Sequence, residues 1–351
     1  MSDFEVLIVG GGIAGASLGA AIAAKRRTLI IEAEEHCGYH STGRSAAFYL
    51  ESYGGPEVAR LTAASGPFLE QGGYLHRRGA LHLSEDHWPE LPNGVEARRV
   101  ERDELERMLP GVRSQWTHAL FEPGCADIDV AALHAAFLRE FKQSGGTLAT
   151  GQRLVRAEPV GSGWRVTLAD GSTIGAAILV NAAGAWADQV AEASDVAPLG
   201  LAPKRRTMVQ LAVGRGGLRD LPLVNDAHGR FYFKGEGDRS IWLSPHDEIA
   251  TDPCDAAPDE IDVATAIDRF ESVVDWRVEK VERKWAGLRT FAPDRLPVYG
   301  YDARARGFFW CAGQGGFGIQ TSPAAASMAA ALLLGEEPKV DPAAFSAARF
   351  N

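Results

Sequence analysis

Phe4-Glu5-Val6-Leu7-Ile8-Val9-Gly10-Gly11-Gly12-Ile13-Ala14-Gly15 is the stretch that decides the class of this chain. Val6 to Val9 form an unbroken apolar run, the pattern of a short strand buried on both faces. Glycines follow at once, and an Ala-rich helical stretch continues to about Ala24. Thr28-Leu29-Ile30-Ile31 reads as a second strand and ends in Glu32. Strand, glycine turn, helix and strand make a βαβ unit, which requires parallel strands and a right-handed crossover. Gly10, Gly12 and Gly15 supply a tight turn, close backbone approach to a pyrophosphate and close helix–strand contact. The helix N-terminus offers N–H groups and partial positive charge to phosphates. Glu32 is placed to accept from a ribose 2′-hydroxyl, and its carboxylate would repel a 2′-phosphate. The glycine pattern alone is a weak signal. Here it has the strand before it, the helix after it and the acid at the right distance, so a strand–turn–helix without a ligand is the weaker reading.

The chain has 351 residues, which suits one large domain or two interleaved ones. A composition 46% hydrophobic and 23% charged is ordinary for a globular protein and excludes disorder, collagen and a small disulfide scaffold. Lys+Arg 36 against Asp+Glu 46 leaves a net charge of -10, which argues against a nucleic-acid or anionic-membrane binder. Cys37, Cys125, Cys254 and Cys311 lack CxxC spacing, so neither a zinc site nor a disulfide framework is indicated and a reduced, cytoplasmic compartment is expected. The histidines are dispersed, and no Ser-His-Asp or GxSxG constellation stands out. No metal and no catalytic acid or base is therefore assigned. Asp3 and Glu5 replace the basic start of a signal peptide, and no run of eighteen strongly apolar residues predicts a membrane span.

Val130, Leu133, Phe137 and Phe141 at helical spacing predict a helix over 129–142, closed by Ser144-Gly145-Gly146. Buried strands are expected at 177–180 and 308–311, and strands with turns dominate 201–285, among them 230–233 and 240–243. The last helix is expected to begin near Pro323. The predicted fold class is α/β: a doubly wound, Rossmann-like nucleotide-binding domain over 1–75, 126–200 and 285–351, with a mixed-sheet (α+β) substrate domain inserted as 76–125 and 201–284. Three further segments are rich in small residues: His40 to Ala47, which could open a helix, Leu179 to Trp186, and Cys311 to Pro323. With the first glycine turn they suit one long dinucleotide better than a lone phosphate.

Together these segments resemble the FAD-dependent D-amino-acid oxidase and dehydrogenase family, most closely the bacterial D-arginine dehydrogenases, through nearly the whole chain. The strings that carry the resemblance are GYHSTGRSAA (38–47), ILVNAAGAWAD (178–188), LGLAPKRR (199–206), KWAGLR (284–289) and QGGFGIQTS (314–322). The resemblance implies FAD held at Gly10, Gly12, Ile13, Ala14, Gly15, Glu32 and Ala33, and again at Ser41, Thr42, Arg44, Ser45, Ala46 and Ala47. It brings Leu154 near the adenine and adds Ala183, Gly184 and Trp186. Gly315, Gly316, Gly318, Ile319, Gln320 and Thr321 would enter the last helix, whose N-terminus would face the negative charge that reduction leaves on the flavin pyrimidine.

For the substrate, the resemblance implies that Arg206 and Arg289 clamp an α-carboxylate, a task suited to the permanently charged, forked guanidinium. Tyr53 and Tyr232 would bond the substrate or close over it, and Gly316 and Gln320 would receive its amino group. Lys204 and Arg205 read as surface charge. For Arg289, flanked by Trp285-Ala286-Gly287-Leu288, the rival is an interior ion pair.

Three positions depart from the family. Ala80 stands for the glutamate that meets a substrate guanidinium, Phe48 for a histidine and Leu50 for a threonine. Three apolar groups on one wall point to apolar over basic side chains. The implied activity is oxidative deamination of D-amino acids to 2-oxo acids and ammonia. The rivals are a glycine- or sarcosine-type amine oxidase, a non-catalytic FAD-binding subunit and, more weakly, an NAD-dependent enzyme. The implied partners are a small amino acid and an electron acceptor (oxygen, a quinone or a carrier) that the residues do not name.

Overall fold

Val6, Leu7, Ile8 and Val9 are all buried, and their strand lies inside a sheet covered on both faces. The computed structural model describes residues 3–92 and 94–350. Phe4–Val9 pairs in parallel with Thr28–Ile31 on one side and Thr173–Asn181 on the other. Thr147–Ala149 and Phe308–Ala312 extend the parallel ladder at its two ends. The hairpin Leu154–Val160/Gly163–Leu168 and the strand Val298–Tyr301 add antiparallel pairs, giving eight strands.

Two glycines make the first crossover possible. Gly10 has φ +109°, and a Cβ there would lie 2.4 Å from the Ala182 carbonyl oxygen. Gly15 lets the helix Ile13–Ile22 settle on the sheet, since its Cβ would lie 2.0 Å from the Gly10 oxygen. That helix packs against Val130–Gln143 and Gly318–Leu334. Val6, Ile8, Leu18, Ile30, Phe141 and Met328 fill the space beneath this layer. On the opposite face Leu7, Leu29, Trp164, Leu179 and Trp310 pack with the short helix Ala187–Glu192. The helix predicted at 129–142 forms as Val130–Gln143, capped by the Asp129 carboxylate accepting from Ala132 N at 2.9 Å.

Two expectations about helix starts are corrected. The last helix begins at Gly318, so Pro323 lies inside it rather than in its first turn. The proline leaves the Ile319 carbonyl without its helical donor, and the Ser322 hydroxyl donates to that oxygen at 2.9 Å instead. The segment His40 to Ala47 forms no helix. Gly43 N closes a turn on the Gly38 carbonyl at 2.8 Å, and the chain then passes through Ala47, at φ +38°, into Phe48–Tyr49.

A second, nine-stranded sheet stands beside the first. Its longest pair is Ala202–Val213 with Val278–Phe291, antiparallel, with Arg206 opposite Gly287 and Lys204 opposite Arg289. This register makes Arg206 and Arg289 diagonal neighbours on one face of the sheet. The other face buries Val209, Leu211, Phe233 and Ile241 against Phe270 of the helix Glu260–Val273. A small sheet of Phe48–Tyr49, Leu75–Arg77 and Ala126–Ile128 completes the fold.

Candidate active site

Three adjoining cavities run from the first glycine turn to the face that carries the arginines. The first, about 270 Å³, lies between Gly10, Gly12, Glu32, Ala33 and Leu154 on one side and Ala183, Gly184 and Trp186 on the other. Glu32 is fixed there, one oxygen accepting from Gly11 N at 2.8 Å and the other from Glu34 N at 3.0 Å. The Thr42 hydroxyl accepts from Ile13 N at 3.0 Å, tying the 38–47 segment to the helix start. Gly12 tests whether a dinucleotide fits. A Cβ at Gly12 would meet Thr42 Oγ1 at 3.3 Å, a tight contact with one side-chain hydroxyl and with no backbone atom, unlike the backbone collisions at Gly10 and Gly15. The open space beside it suits a ligand whose phosphates approach the backbone.

The second cavity is a crevice of about 80 Å³ that shares Ser41 and Thr42 with the first. Ile13, Ser45, Ala46, Gly315, Gly318 and Ile319 line it from the first domain, and Arg206, Met208 and Leu288 from the second sheet. The N-terminus of the helix Gly318–Leu334 opens on it and brings partial positive charge. The third cavity, about 560 Å³, shares Ser45, Ala46, Tyr232, Arg289, Gly316 and Ile319 with the crevice. A long cofactor with a flat terminal ring fits this succession.

Several expected residues stand apart. Ala14 and Gly15 lie behind the turn and line none of the three cavities. The Arg44 side chain pairs with Asp255 and donates to the Ala256 and Ala286 carbonyls at 3.0 and 3.1 Å, so only its backbone and stem are left for a ligand. The Thr321 hydroxyl is buried and donates to Phe317 O at 2.9 Å. Ala47 lines the third cavity. Gln320 borders that cavity, but its amide donates to Thr62 Oγ1 at 2.9 Å and accepts from Leu50 N at 3.2 Å. It is a strut between the last helix and the loop after Phe48–Tyr49 rather than a free acceptor for an amine.

The two arginines meet at the junction of crevice and cavity. Arg289 donates to the Tyr53 hydroxyl at 2.8 Å and to the Tyr232 hydroxyl at 3.5 Å, rather than to a carboxylate as in an interior ion pair. Arg206 is 3% exposed; its Nε donates to the Asp247 carbonyl at 2.6 Å and its Nη2 lies 3.4 Å from Glu248, while Nη1 is buried and has no partner among the described residues. Burial, and then the neighbouring Arg289 charge, pulls Arg206 below the usual arginine value. Burial also acts against Arg289, but Tyr53, Tyr232 and the carboxylates of Glu248 and Asp247 hold its value up. Two adjacent guanidinium groups with an open donor make a place for an anion. A Cβ at Gly316 would lie 2.5 Å from Tyr53 Oη and 3.1 Å from Arg289 Nη1, so the glycine keeps that place clear. Lys204 and Arg205 are not surface charge. Both are half-buried, Lys204 3.6 Å from Glu248 and Arg205 2.6 Å from Asp262.

Phe48 and Leu50 line the third cavity, joined by Leu91, Leu223 and Phe231. Ala80 does not. It is fully buried behind this wall among Ala46, Leu50, Met208 and Leu223. Polar groups that sequence reasoning missed also face the cavity: His82, Asn225, Asp226 and His246. Asp226 is engaged by Arg230 at 2.7 Å, and His82 by the buried Glu122 at 2.9 Å. His246 is half-buried, with its Nδ1 2.5 Å from the Gly229 carbonyl. Burial first, then Arg206 and Arg289, lower its pKa to about 4. No motif surrounds His246, so only the folded chain reveals it. The histidines are not wholly dispersed either: Asp86, His87 and His228 converge at the exposed rim, the Asp86 carboxylate bonded to both rings at 2.7 and 3.0 Å. Among the described residues, no helix is long and apolar enough to cross a membrane.

A family model described as FAD dependent oxidoreductase (DAO) matches residues 5–332. The chain is 23% identical over 401 residues to FAD-dependent oxidoreductase domain-containing protein 1 of Xenopus laevis, a match spanning 94% of this chain and 79% of the relative. Its fold is similar to L-proline dehydrogenase from P. horikoshii, with a TM-score of 0.84 at 20% identity, covering 99% of this chain and 97% of that one. It is also similar to glycine oxidase from Geobacillus kaustophilus, with a TM-score of 0.79 at 21% identity, covering 99% and 98%. The glycine turn, the channel beyond it and the match across almost the whole chain lead to one conclusion: this chain belongs to the DAO family of FAD dependent oxidoreductases, and FAD is its cofactor.

Proposed function

We propose that this protein oxidises the Cα–N bond of a D-amino acid, with a preference for apolar side chains. The product is an imino acid that hydrolyses to a 2-oxo acid and ammonia. The observation that carries the reading is the Arg206–Arg289 pair, with its buried open donor, at the junction of the crevice and the cavity. FAD in the crevice would supply the two-electron acceptor for the hydrogen leaving Cα. The chain's own residues do the positioning. The two guanidinium groups hold the carboxylate, Tyr53 and Tyr232 orient Arg289, and Phe48, Leu50 and Leu223 take an apolar side chain and exclude water.

A cavity of about 560 Å³ is larger than glycine needs and favours a substrate with a side chain. Asp226 is already engaged by Arg230 and Glu90 stands at the exposed rim, so a guanidinium or ammonium held against the inner wall of Phe48, Leu50 and Leu223 would find little compensation. The similar solved structures include an L-proline dehydrogenase and a glycine oxidase, so the preference for the D form rests on the five sequence strings and not on the fold. Anaerobic bleaching of the flavin by a panel of D- and L-amino acids, glycine and sarcosine tests the reading. Fastest bleaching by D-leucine, D-methionine or D-phenylalanine is expected. Preference for glycine or sarcosine would replace the proposal with the amine-oxidase reading, and no bleaching by any of them would leave a non-catalytic flavoprotein.

A further inference from the structure

We propose that Asp86, His87 and His228 form a binding site for a borderline divalent cation such as Zn²⁺. The bound ion ties together the two segments that border the mouth of the 560 Å³ cavity. The site stands apart from the arginine pair and does not depend on the oxidation proposed above. Asp86 Oδ1 lies 2.7 Å from His87 Nδ1 and 3.0 Å from His228 Nε2, and the three atoms fall within 4.8 Å of one another. Tetrahedral zinc at its usual bond lengths separates donor atoms by about 3.3 Å, so the two pairs that Asp86 makes need open by only about 0.3–0.6 Å.

The second sheet brings these residues together, although Asp86 and His228 are 142 positions apart. Leu83 faces Asp226 in the parallel pair of Ala80–Ser84 with Leu223–Asp226, and Ala227 N donates to the Leu83 carbonyl at 2.8 Å. Both chains leave the sheet there, one into Glu85-Asp86-His87 and the other into Ala227-His228-Gly229. His87, Pro89, Glu90 and Leu91 of the first segment, and Ala227 and Gly229 of the second, line the cavity. Bonds around the three residues hold them in place. Ser84 Oγ donates to Asp86 Oδ1 at 2.9 Å, and Thr117 Oγ1 to the Glu85 carbonyl at 3.1 Å. Arg230 bridges the segments, donating to Asp226 at 2.7 Å and to Glu85 at 3.1 Å. Such outer partners orient the groups that a metal ion needs.

The donor set selects the ion. Two imidazole nitrogens and one carboxylate oxygen suit Zn²⁺, Co²⁺, Ni²⁺ or Cu²⁺, whereas Ca²⁺ and Mg²⁺ take oxygen donors. All three side chains belong to exposed residues, so water can complete the coordination. A carboxylate can only accept, so His87 Nδ1 and His228 Nε2 donate to Asp86 when no cation is bound. Coordination needs their lone pairs instead. Each ring, in its neutral form, supplies one by moving its hydrogen to its other nitrogen, which has no protein partner among the described residues. Arg230, the cation beside the site, is offset by the carboxylates of Asp226 and Glu85.

The test titrates ZnCl₂ into untagged, FAD-loaded protein in a non-chelating buffer at about pH 7.5, read by calorimetry and by amide hydrogen exchange. One equivalent should bind, and exchange should slow in both 85–92 and 226–230. Asp86→Asn and His228→Ala should each weaken binding by about 100-fold or more, because even an outer partner of a ligand contributes about 10–100-fold. Both variants should keep the wild-type flavin content and Tm without the ion, which separates loss of a ligand from loss of the fold. Cys254→Ser, at the exposed cysteine, should bind Zn²⁺ as wild type does, and CaCl₂ should slow exchange in neither segment. Wild type that binds no Zn²⁺, or Asp86 and His228 variants that bind it as tightly as wild type, overturns the site. Slowed exchange in only one of the two segments, or in neither, overturns the tie across the mouth.

Discussion

Replacing Arg206 by methionine separates the binding of an anion from the stability of the fold. In the free protein the Arg206 guanidinium is compromised: Nη1 is buried with no partner among the described residues, and Arg289 repels it. Methionine would lose the charge-assisted bond to the Asp247 carbonyl and the contact with Glu248, together about 1.5–3 kcal/mol, but would also remove an unsatisfied buried donor and a like-charge contact. Stability should therefore move by no more than about 1 kcal/mol, a few degrees in Tm for a chain of this size. On the proposed reading, substrate binding would complete what the free arginine lacks, because a carboxylate oxygen at Nη1 would gain a charge-assisted bond in a desolvated place. Truncating such a pair costs about 2–5 kcal/mol. A central loss of about 3 kcal/mol is roughly two decades in kcat/KM. Arg206→Lys keeps the charge but not the fork and should fall between the two. The assay is anaerobic flavin bleaching against concentration of the best amino acid, beside benzoate affinity and a thermal melt. An Arg206→Met enzyme that keeps kcat/KM within threefold, or melts far below wild type, would refute this account of the arginine.

Gly12→Val should lose FAD and cost the apoprotein less than Gly15→Ala, which should cost more than about 2 kcal/mol before any cofactor is added, because its Cβ meets the Gly10 oxygen. Flavin content and apoprotein melts distinguish the two. His134 and His246 both have folded pKa values below 6.5, with burial the first cause in each. The unfolded chain therefore binds protons first as pH falls, so stability is present above about pH 6.5 and lost toward pH 4, on the order of 3 kcal/mol for His246. Melts across that range should show the loss, and a shallower one in His246→Gln. D-Leucine, D-methionine or D-phenylalanine should exceed D-arginine and D-lysine by roughly a decade in kcat/KM, and a strong preference for D-arginine would contradict the assigned wall. Ala80→Glu should not restore basic substrates. It would bury a carboxylate opposite Glu122 and cost about 3–5 kcal/mol, readable as a fall in Tm.

Part of this protein was determined by sequence alone, where the physics is local. The run from Phe4 to Gly15 specifies a strand, a turn and a helix because unbroken apolar residues, glycine geometry and helix propensity act over a few neighbours. Asp129 and Gly145 delimit a helix for the same reason. Pro323 shows the limit of such rules. Its missing N–H would end a helix, but the Ser322 hydroxyl supplies the donor within the same turn. Composition, the absence of metal-ligand spacing and the five ordered strings named the fold class and FAD. They could not say which way a side chain turns. Gln320, Arg44 and Thr321 lie in strings that the resemblance assigns to cofactor and substrate, yet their polar groups bond the protein itself, because buried polar atoms take whichever partner the packing brings. The tertiary structure alone decided that Ala80 sits behind the wall and that Arg206 and Arg289, 83 positions apart, share one sheet face. It alone brought His246 to the same cavity. Register across a long antiparallel pair and the path of a loop held by distant residues depend on contacts between parts of the chain far apart in sequence, and no local pattern records them.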